Sequence, residues 1–344
     1  MGRIAWLVVI GAALAGCAGV RPGAEAARRG DEIVVCGRLF HTGAPVVLWT
    51  DPGGYDAYRV ERRFVPWEKA GWEATAGTLK TPERFGVRFA PRAPTSAAAA
   101  EVGGTGGGTG LSAEEFERVR GGGWDLATLG RVVDQFVLHY DACGTSRACF
   151  RTLHDVRGLS VHFLLDIDGT IYQTLDVKER AWHATVCNDR SVGIEIANIG
   201  AYPGKDALIL DRWYARDGDG RTRISVPLEL DGGGVRTLGV FRPSRDAPVV
   251  GVIQGAELEQ YDLTPQQYDS LIRLTATLCT VLPRIRCEAP RDAAGRVIDH
   301  KLADDQLAAY SGLLGHYHIQ ENKTDPGPAL DWDRVVLGAR KLMR

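Results

Sequence analysis

The sequence has no excess of charge of either sign and no apolar run long enough to cross a membrane. Its 41 lysine and arginine residues nearly balance 43 aspartate and glutamate residues, for a formal net charge of -2. Because this balance leaves no basic footprint, no nucleic-acid partner is expected. The apolar run at residues 4–16 is too short to span a bilayer as a helix.

Several chemical motifs are also missing. No Cys-x-x-Cys pair suggests a structural zinc or a thioredoxin-like dithiol, and no internal repeat is evident. The glycine-rich stretch near residue 105 is not followed by Gly-Lys-Ser or Gly-Lys-Thr, so a P-loop is not predicted. Asp-Gly pairs at 166–169 and 217–220 lack the downstream glutamate of an EF-hand and indicate hairpin turns. What is present is a globular composition of 344 residues, which suggests one sizeable catalytic domain plus accessory sequence.

Residues 1–17 have the pattern of a lipoprotein signal peptide. Arg3 precedes the apolar run, which ends in Leu14-Ala15-Gly16-Cys17, and this tetrad resembles the bacterial lipobox, where cleavage leaves the cysteine to be lipidated. Lipid on Cys17 would anchor the protein to a membrane without spanning it. An ordinary signal peptide with an incidental cysteine is the alternative. Ala18 is compatible with sorting to the outer membrane, so we expect an exported lipoprotein of the cell envelope, in the outer membrane and facing the periplasm.

Six cysteines remain if Cys17 carries lipid, and an even number in an exported chain favours disulfides. They are Cys36, Cys143, Cys149, Cys187, Cys279 and Cys287. Although six cysteines allow fifteen pairings, Cys143 and Cys149 are close enough to close a small loop, as are Cys279 and Cys287. A Cys143–Cys149 disulfide is therefore a candidate, and burial of several thiols as small apolar side chains is the alternative.

Composition divides the rest of the chain into four segments. Residues 18–90 predict a small β-rich region, and residues 91–111, rich in alanine and glycine, predict a flexible linker. Residues 112–335 predict a mixed α/β domain with a polar, glycine-rich insertion at about 198–259. Residues 336–344 form a C-terminal tail in this prediction.

Local patterns predict the individual elements. Strands are expected at 32–36, 45–50, 58–65, 135–140, 161–166, 170–173 and 191–197. Asp168-Gly169 predicts a hairpin between two of them, and the insertion is expected to have short hairpins of its own. One helix is expected to begin at a capping box at Ser112, a second to lie within 149–157, and a third to run from Thr264-Pro265 to about Leu282.

Three histidines, His139, His183 and His316, lie beside strand-like or glycine-rich segments. A lone histidine near a strand is more often an ordinary hydrogen-bonded residue than a ligand, so their surroundings decide. The segments FVLH at 136–139, RAWHA at 180–184, SVGIE at 191–195 and GHYHIQENKTDPGP at 315–328 follow in this order. Over roughly residues 132–332, these motifs closely resemble the type 2 N-acetylmuramoyl-L-alanine amidase family, related to peptidoglycan recognition proteins and phage amidase lysozymes.

The resemblance implies an α/β fold with a central mixed β-sheet flanked by helices, and one Zn²⁺ ion held by His139, His316 and Asp325. Two imidazoles and one carboxylate suit zinc and leave a fourth position for water. His318 is the rival ligand, because His316 and His318 would share one face if the segment were extended. His41, His154, His162 and His300 have no motif around them and are interpreted as ordinary histidines.

The resemblance also assigns the remaining site residues. Glu195 takes the place of the general base, on a strand whose apolar neighbours would point to the opposite face. Lys323 would bring a positive charge to the tetrahedral oxyanion. His183 and Trp182 are expected to contact substrate in the groove.

These residues lead to the expectation of a hydrolase that cuts the amide between N-acetylmuramic acid and the L-alanine of the stem peptide, in peptidoglycan or muropeptides. A peptidoglycan-binding protein without catalysis is the alternative, but relatives of that kind have lost metal ligands. A third hypothesis is that the N-terminal region and the insertion act through a partner protein, although nothing in them identifies one.

Overall fold

The computed structural model describes residues 21–59, 114–115 and 123–344. The expected signal peptide with Cys17, the linker, Ser112 and most of the strand expected at 58–65 lie outside the described residues. The described strands are β1 (Glu32–Val35), β2 (Arg38–His41), β3 (Val46–Leu48), β4 (Gln135–Tyr140), β5 (Phe163–Leu165), β6 (Ile171–Gln173), β7 (Ser191–Ile196), β8 (Tyr214–Arg216), β9 (Thr222–Ile224), β10 (Val249–Ile253), β11 (Ala256–Gln260) and β12 (Gly312–Gly315). The described helices are α1 (Leu126–Val132), α2 (Ser146–Phe150), α3 (Leu208–Trp213), α4 (Pro265–Val281), α5 (Asp304–Ala309) and α6 (Trp332–Leu342), with a π-helical segment at Arg151–Val156.

Six strands form the central sheet, in the order β12-β4-β7-β5-β6-β3. All neighbours are parallel except β5 and β6, which form an antiparallel hairpin around Asp168-Gly169. β7 is buried along its whole length and β4 up to its last residue, as expected of parallel strands that are covered on both faces. The mixed sheet with flanking helices confirms the expected fold class.

Helix α4 contributes many of the large apolar residues of the core. The Thr264 hydroxyl accepts a hydrogen bond from the Gln267 amide at 3.0 Å, and the Gln267 side chain accepts one from the Thr264 amide at 2.9 Å. This capping box, with Pro265 in the first turn, fixes the start of the helix where the sequence predicts it. Leu271 and Leu274 are fully buried, and each such burial contributes about 1.5–3 kcal/mol.

The N-terminal region is joined to the catalytic sheet rather than set apart from it. Strands β1 and β2 form an antiparallel hairpin, and β3 pairs in parallel with β6 at the sheet edge. The Gln173 side chain bonds both the amide and the carbonyl of Val34, at 2.7 and 2.8 Å. The predicted boundary at residue 90 therefore does not separate residues 21–59 from the sheet. Of the strand expected at 58–65, Tyr58 lies in a 3-10 helix instead.

The C-terminal tail expected from residue 336 is wrong, because the predicted boundary falls inside α6. Val335, Val336 and Ala339 are buried on one face of this helix, which packs along α4. An amphipathic spacing of three to four residues explains why the helix continues past the boundary.

The insertion contains the short hairpins that its composition predicts. One is β8 with β9 and the other is β10 with β11, both antiparallel. Among the described helices, none combines the length and the apolar character needed to cross a membrane.

Candidate metal centre

Three side-chain donors converge at one end of the central sheet. The Nδ1 atoms of His139 and His316 lie 3.0 Å apart. Asp325 Oδ2 lies 2.7 Å from the His139 nitrogen and 3.0 Å from the His316 nitrogen. All three residues are buried. Two imidazole nitrogens and one carboxylate oxygen are the donors that zinc takes in open, catalytic sites, so the residues present fit that ion.

Strand order explains why residues so far apart in sequence meet here. His139 is near the end of β4, His316 directly follows β12, and these two strands are parallel neighbours. The carboxyl ends of parallel strands meet at one edge of a sheet, where ligands bind in such folds. A Cβ atom on Gly315 would lie 2.7 Å from the Pro326 ring. Glycine at this position therefore allows the segment that carries Asp325 to approach the strand.

Electrostatics favour a charged Asp325 and a neutral His139. Burial alone would raise the pKa of Asp325, but the imidazoles of His316 and His139 outweigh it and hold that pKa below its usual range. Burial, with His316 nearby, lowers the pKa of His139 to about 4. A deprotonated carboxylate and neutral imidazoles are the forms that bind a metal ion.

Glu195 lies beside His139 on the neighbouring strand. The two residues are register partners between β4 and β7, so their side chains project from the same face of the sheet. Burial raises the pKa of the Glu195 carboxyl well above its usual range, and the charges of Asp325 and Asp141 raise it further. A carboxyl with a raised pKa next to a metal centre is suited to accepting and returning a proton.

A cavity of about 290 Å³ opens at the cluster. Its wall contains the three expected metal ligands, and it also contains Glu195, Lys323, Trp182 and His183. The structure thus brings together every ligand, catalytic and groove residue that the sequence suggests.

His183 also lies behind the cluster of three donors. Its Nδ1 is 3.0 Å from His139 Nε2, and its Nε2 is 3.2 Å from the Ser191 hydroxyl. A Cβ atom on Gly193 would lie 2.5 Å from this imidazole ring, so glycine makes room for it. Substrate contact by His183 stays a prediction. The structure adds a contact between His183 and His139 that the sequence did not suggest.

His318 is not a member of the cluster. Its Nδ1 accepts a hydrogen bond from the Gly315 amide at 2.8 Å, and its Nε2 donates one to the Ile298 carbonyl at 2.7 Å. The segment forms a short 3-10 helix at His316–His318 rather than a strand. Because the two histidines do not share a face in this turn, the rival assignment of the metal to His318 is wrong.

Sequence reasoning missed two residues that hold the site. Gln320 Oε1 lies 2.7 Å from His316 Nε2, on the ring side away from the cluster. Gln254, in the turn between β10 and β11, donates to the carbonyls of Tyr317 and Gln320 at 2.8 and 3.0 Å. Gln320 follows His316 by four residues, but this spacing is informative only once the segment is known to be helical.

The six cysteines within the described residues are free thiols. Cys143 and Cys149 are not bonded to each other in this structure, although they lie side by side. The interaction with Cys149 lowers the pKa of Cys143 to about 7. A disulfide between them remains a prediction from the sequence.

Comparison with protein-family models gives a match over the catalytic region. The model of the family Amidase_2, described as N-acetylmuramoyl-L-alanine amidase, matches residues 129–328. No curated protein matches the chain.

Three solved structures are similar at low identity. One is a selenomethionine derivative of AmpD, with 21% sequence identity over 62% of this chain and 85% of that one and a TM-score of 0.30. The second is the N-acetylmuramyl-L-alanine amidase AmiD from E. coli, in complex with the substrate anhydro-N-acetylmuramic acid-L-Ala-D-gamma-Glu-L-Lys, with 18% identity over 60% of this chain and 57% of that one and a TM-score of 0.32. The third is the endolysine N-acetylmuramoyl-L-alanine amidase LysCS from Clostridium intestinale URNW, with 15% identity over 60% of this chain and 84% of that one and a TM-score of 0.32. The match to AmiD thus spans 57% of that protein's length. Because the family model covers more than half of the 344 residues, this chain belongs to the N-acetylmuramoyl-L-alanine amidase family.

Proposed function

We propose that this protein is a zinc-dependent amidase that hydrolyses the bond between the lactyl group of N-acetylmuramic acid and L-alanine, in peptidoglycan or its fragments. The observation that carries the proposal is the convergence of His139, His316 and Asp325 in the wall of a cavity that also holds Glu195. Family membership supplies the reaction class. A binding protein without catalysis would have no use for this set of donors beside a buried carboxyl.

His139 and His316 through Nδ1, with Asp325 through Oδ2, would hold the zinc ion. When bound, zinc supplies Lewis-acid activation of water and of the scissile carbonyl. These three side chains fix where that chemistry takes place. The amide bond must therefore be presented at this end of the cavity.

Glu195 moves the proton in the proposed reaction. Its carboxylate accepts a proton from the attacking water and returns it to the nitrogen of L-alanine as the amide bond breaks. The products are the lactyl carboxylate and the free amine of the stem peptide, so one water molecule is consumed. Lys323, in the same wall, provides a fixed positive charge for the oxyanion that forms at the former carbonyl.

His183 and Gln320 orient the ligating imidazoles. If each ligand uses Nδ1, each must carry its proton on Nε2, which then donates to His183 Nδ1 or to Gln320 Oε1. His183 in turn carries its proton on Nε2, facing the Ser191 hydroxyl. Such outer partners set the tautomer and the orientation of a metal-binding imidazole.

Mass spectrometry of digested muropeptides tests the reaction. The wild-type protein is expected to release intact stem peptide with a free L-alanine amine, and chelator treatment is expected to abolish the release. Asp325→Ala and Glu195→Ala should both lose it, whereas Glu257→Gln, at an exposed glutamate of β11, should retain it. Muropeptide binding by the wild-type protein with no release under any condition would favour the recognition protein and contradict the amidase.

The same proposal includes export and anchoring. We infer from the tetrad before Cys17 that the mature chain carries lipid there and works in the cell envelope. Metabolic labelling with a fatty-acid analogue is expected to mark the wild-type protein and not Cys17→Ser. Equal labelling of both would contradict the anchor and leave the amidase proposal untouched.

A further inference from the structure

We propose that Asp31, Glu32 and His41 form a second site for a divalent cation, suited to zinc, at the open end of the β1–β2 hairpin. One donor atom from each residue lies within 4.8 Å of the other two. The group is separate from the amidase centre and shares none of its residues. The inference does not depend on the proposed function.

Strand register brings these donors together. Glu32 and His41 are direct partners in the antiparallel β1–β2 ladder, so their side chains lie on the same face about 4.5–5.5 Å apart at Cβ. Asp31 immediately precedes β1, and its backbone carbonyl accepts a hydrogen bond from the Thr42 amide at 2.8 Å. His41 Nδ1 lies 2.7 Å from Asp31 Oδ2. The hairpin thus holds the three donors in place without a ligand.

Glu32 provides the observation that points to a missing ligand. Its side chain is fully buried, and Oε2 accepts from the amides of Arg29, Gly30 and Asp31 at 2.7, 3.0 and 3.3 Å. Oε1 is also buried but has no hydrogen-bond partner in the structure. A buried carboxylate oxygen without a partner is costly, and a cation would satisfy it.

The neighbouring Asp31 oxygen has the same deficiency. Asp31 Oδ1 is buried without a hydrogen-bond partner, while the carboxyls of Asp31 and Glu32 interact directly. Two adjacent carboxylates repel each other unless they share a proton or bind a cation. Arg28 forms an ion pair with Oε2 of Glu32 at 3.3 Å and a second one with Asp51. It therefore leaves Oε1 of Glu32 and Oδ1 of Asp31 without a partner.

The donor types indicate which ion fits. One imidazole nitrogen with two carboxylate oxygens is a mixed set that zinc accepts, whereas calcium and magnesium prefer oxygen donors alone. The side chains of Asp31 and His41 are 25% and 16% exposed, so water can complete the coordination. An ion here would join the two ends of the hairpin.

Counting bound zinc tests this site on the full chain. After zinc loading and dialysis, elemental analysis is expected to find two equivalents in the wild-type protein, one in Asp325→Asn, one in His41→Asn and none in the double variant. Glu32→Gln, which keeps an acceptor for the three amides, is also expected to bind one equivalent. A matched control is His300→Asn, because His300 pairs with Asp299 at 2.9 Å on the exposed surface without a third donor. It should retain two equivalents.

The outcomes separate this site from the amidase centre. One equivalent in the wild type that His41→Asn and Glu32→Gln leave unchanged would overturn the second site and indicate a proton shared by Asp31 and Glu32. One equivalent that is lost in His41→Asn but kept in Asp325→Asn would instead contradict zinc at the amidase centre. As a check on folding, added zinc should raise the thermal midpoint of Asp325→Asn and have no effect on Asp325→Asn/His41→Asn. Equal shifts in both would also overturn the second site.

Discussion

The two donor clusters of this chain differ in how far their residues are separated in sequence. His139, His316 and Asp325 come from segments up to 186 residues apart and meet only because parallel strands end together. Asp31, Glu32 and His41 belong to one hairpin. The first cluster opens into a cavity with a buried carboxyl and a lysine, whereas backbone amides surround the acid of the second. The first cluster thus depends on the pairing of the whole central sheet, whereas the second depends only on the register of one hairpin.

Removing the proposed base should separate chemistry from metal binding at the first cluster. Glu195→Gln is expected to lower kcat by about 10²–10⁴-fold, because the isosteric amide cannot accept the proton from water. The zinc content should not change, since Glu195 is not one of the three converging donors. Steady-state kinetics with elemental analysis checks this, and undiminished kcat would remove Glu195 from the mechanism while leaving the metal site intact.

The lysine in the cavity wall should matter to the transition state more than to binding. Lys323→Met is expected to lower kcat by about 10²–10³-fold, the loss typical of one stabilising group at an oxyanion, with little change in KM. The matched control is Lys301→Met, because Lys301 pairs with the exposed Asp304 outside the cavity. A rise in KM alone would mean that Lys323 holds substrate instead.

Asp166 is a buried acid without imidazole partners, so its contribution to stability should change with pH in the opposite sense to that of Asp325. Burial raises the pKa of Asp166 to about 7, and the charge of Asp168 adds to the effect. Its folded pKa thus lies above the unfolded value, so its contribution to stability is full below about pH 4 and is lost as the pH rises toward 7. The free energy of unfolding of Asp166→Asn should therefore rise by on the order of 2–4 kcal/mol relative to that of the wild type as the pH goes from 4 to 8. Parallel unfolding free energies across that range, measured by urea titration, would contradict this.

The contact behind His139 should control metal affinity more than turnover. His183→Ala is expected to weaken zinc binding by about 10–100-fold and to leave most of kcat at saturating zinc. His183→Gln, which keeps an acceptor near Nε2 of His139, should restore part of the affinity. Competition with a chromophoric chelator measures both. An unchanged zinc Kd with a raised KM would instead support substrate contact as the whole role of His183.

The second cluster should affect stability without affecting chemistry. His41→Asn is expected to leave kcat and KM within about twofold of wild type, because hairpin β1–β2 contributes no residue to the cavity wall. The loss of the second zinc site should instead appear as a lower thermal midpoint of unfolding in the presence of zinc. A large fall in kcat would mean that the two clusters are coupled.

Local signals in the sequence were sufficient for several elements that carry the amidase site, but not for β12, which lies outside the expected strands. The strands β4 and β7, the turn at Asp168-Gly169 and the cap at Thr264 depend on neighbouring residues only, and the sequence predicts each of them. The motif order was sufficient to predict that His139, His316, Asp325, Glu195 and Lys323 belong to one site, and all five line the same cavity.

What the sequence could not provide depends on pairing between distant segments. The parallel pairing of β3 with β6 joins residues more than 120 positions apart, and no local pattern specifies such a partner. His41 has no motif around it, and its proximity to Asp31 and Glu32 follows from hairpin register. The contact of His183 with His139 depends on the space above Gly193, which only packing reveals.

Zinc dependence of the rate tests the central claim most directly. Chelated protein, titrated with zinc while stem-peptide release is followed by mass spectrometry, should regain activity in proportion to occupancy of the site that Asp325→Asn removes. Asp325→Asn itself should stay at least about 10³-fold slower at every zinc concentration. Release at the wild-type rate by the chelated protein, or by Asp325→Asn, would contradict the assignment of His139, His316 and Asp325 as the catalytic metal centre.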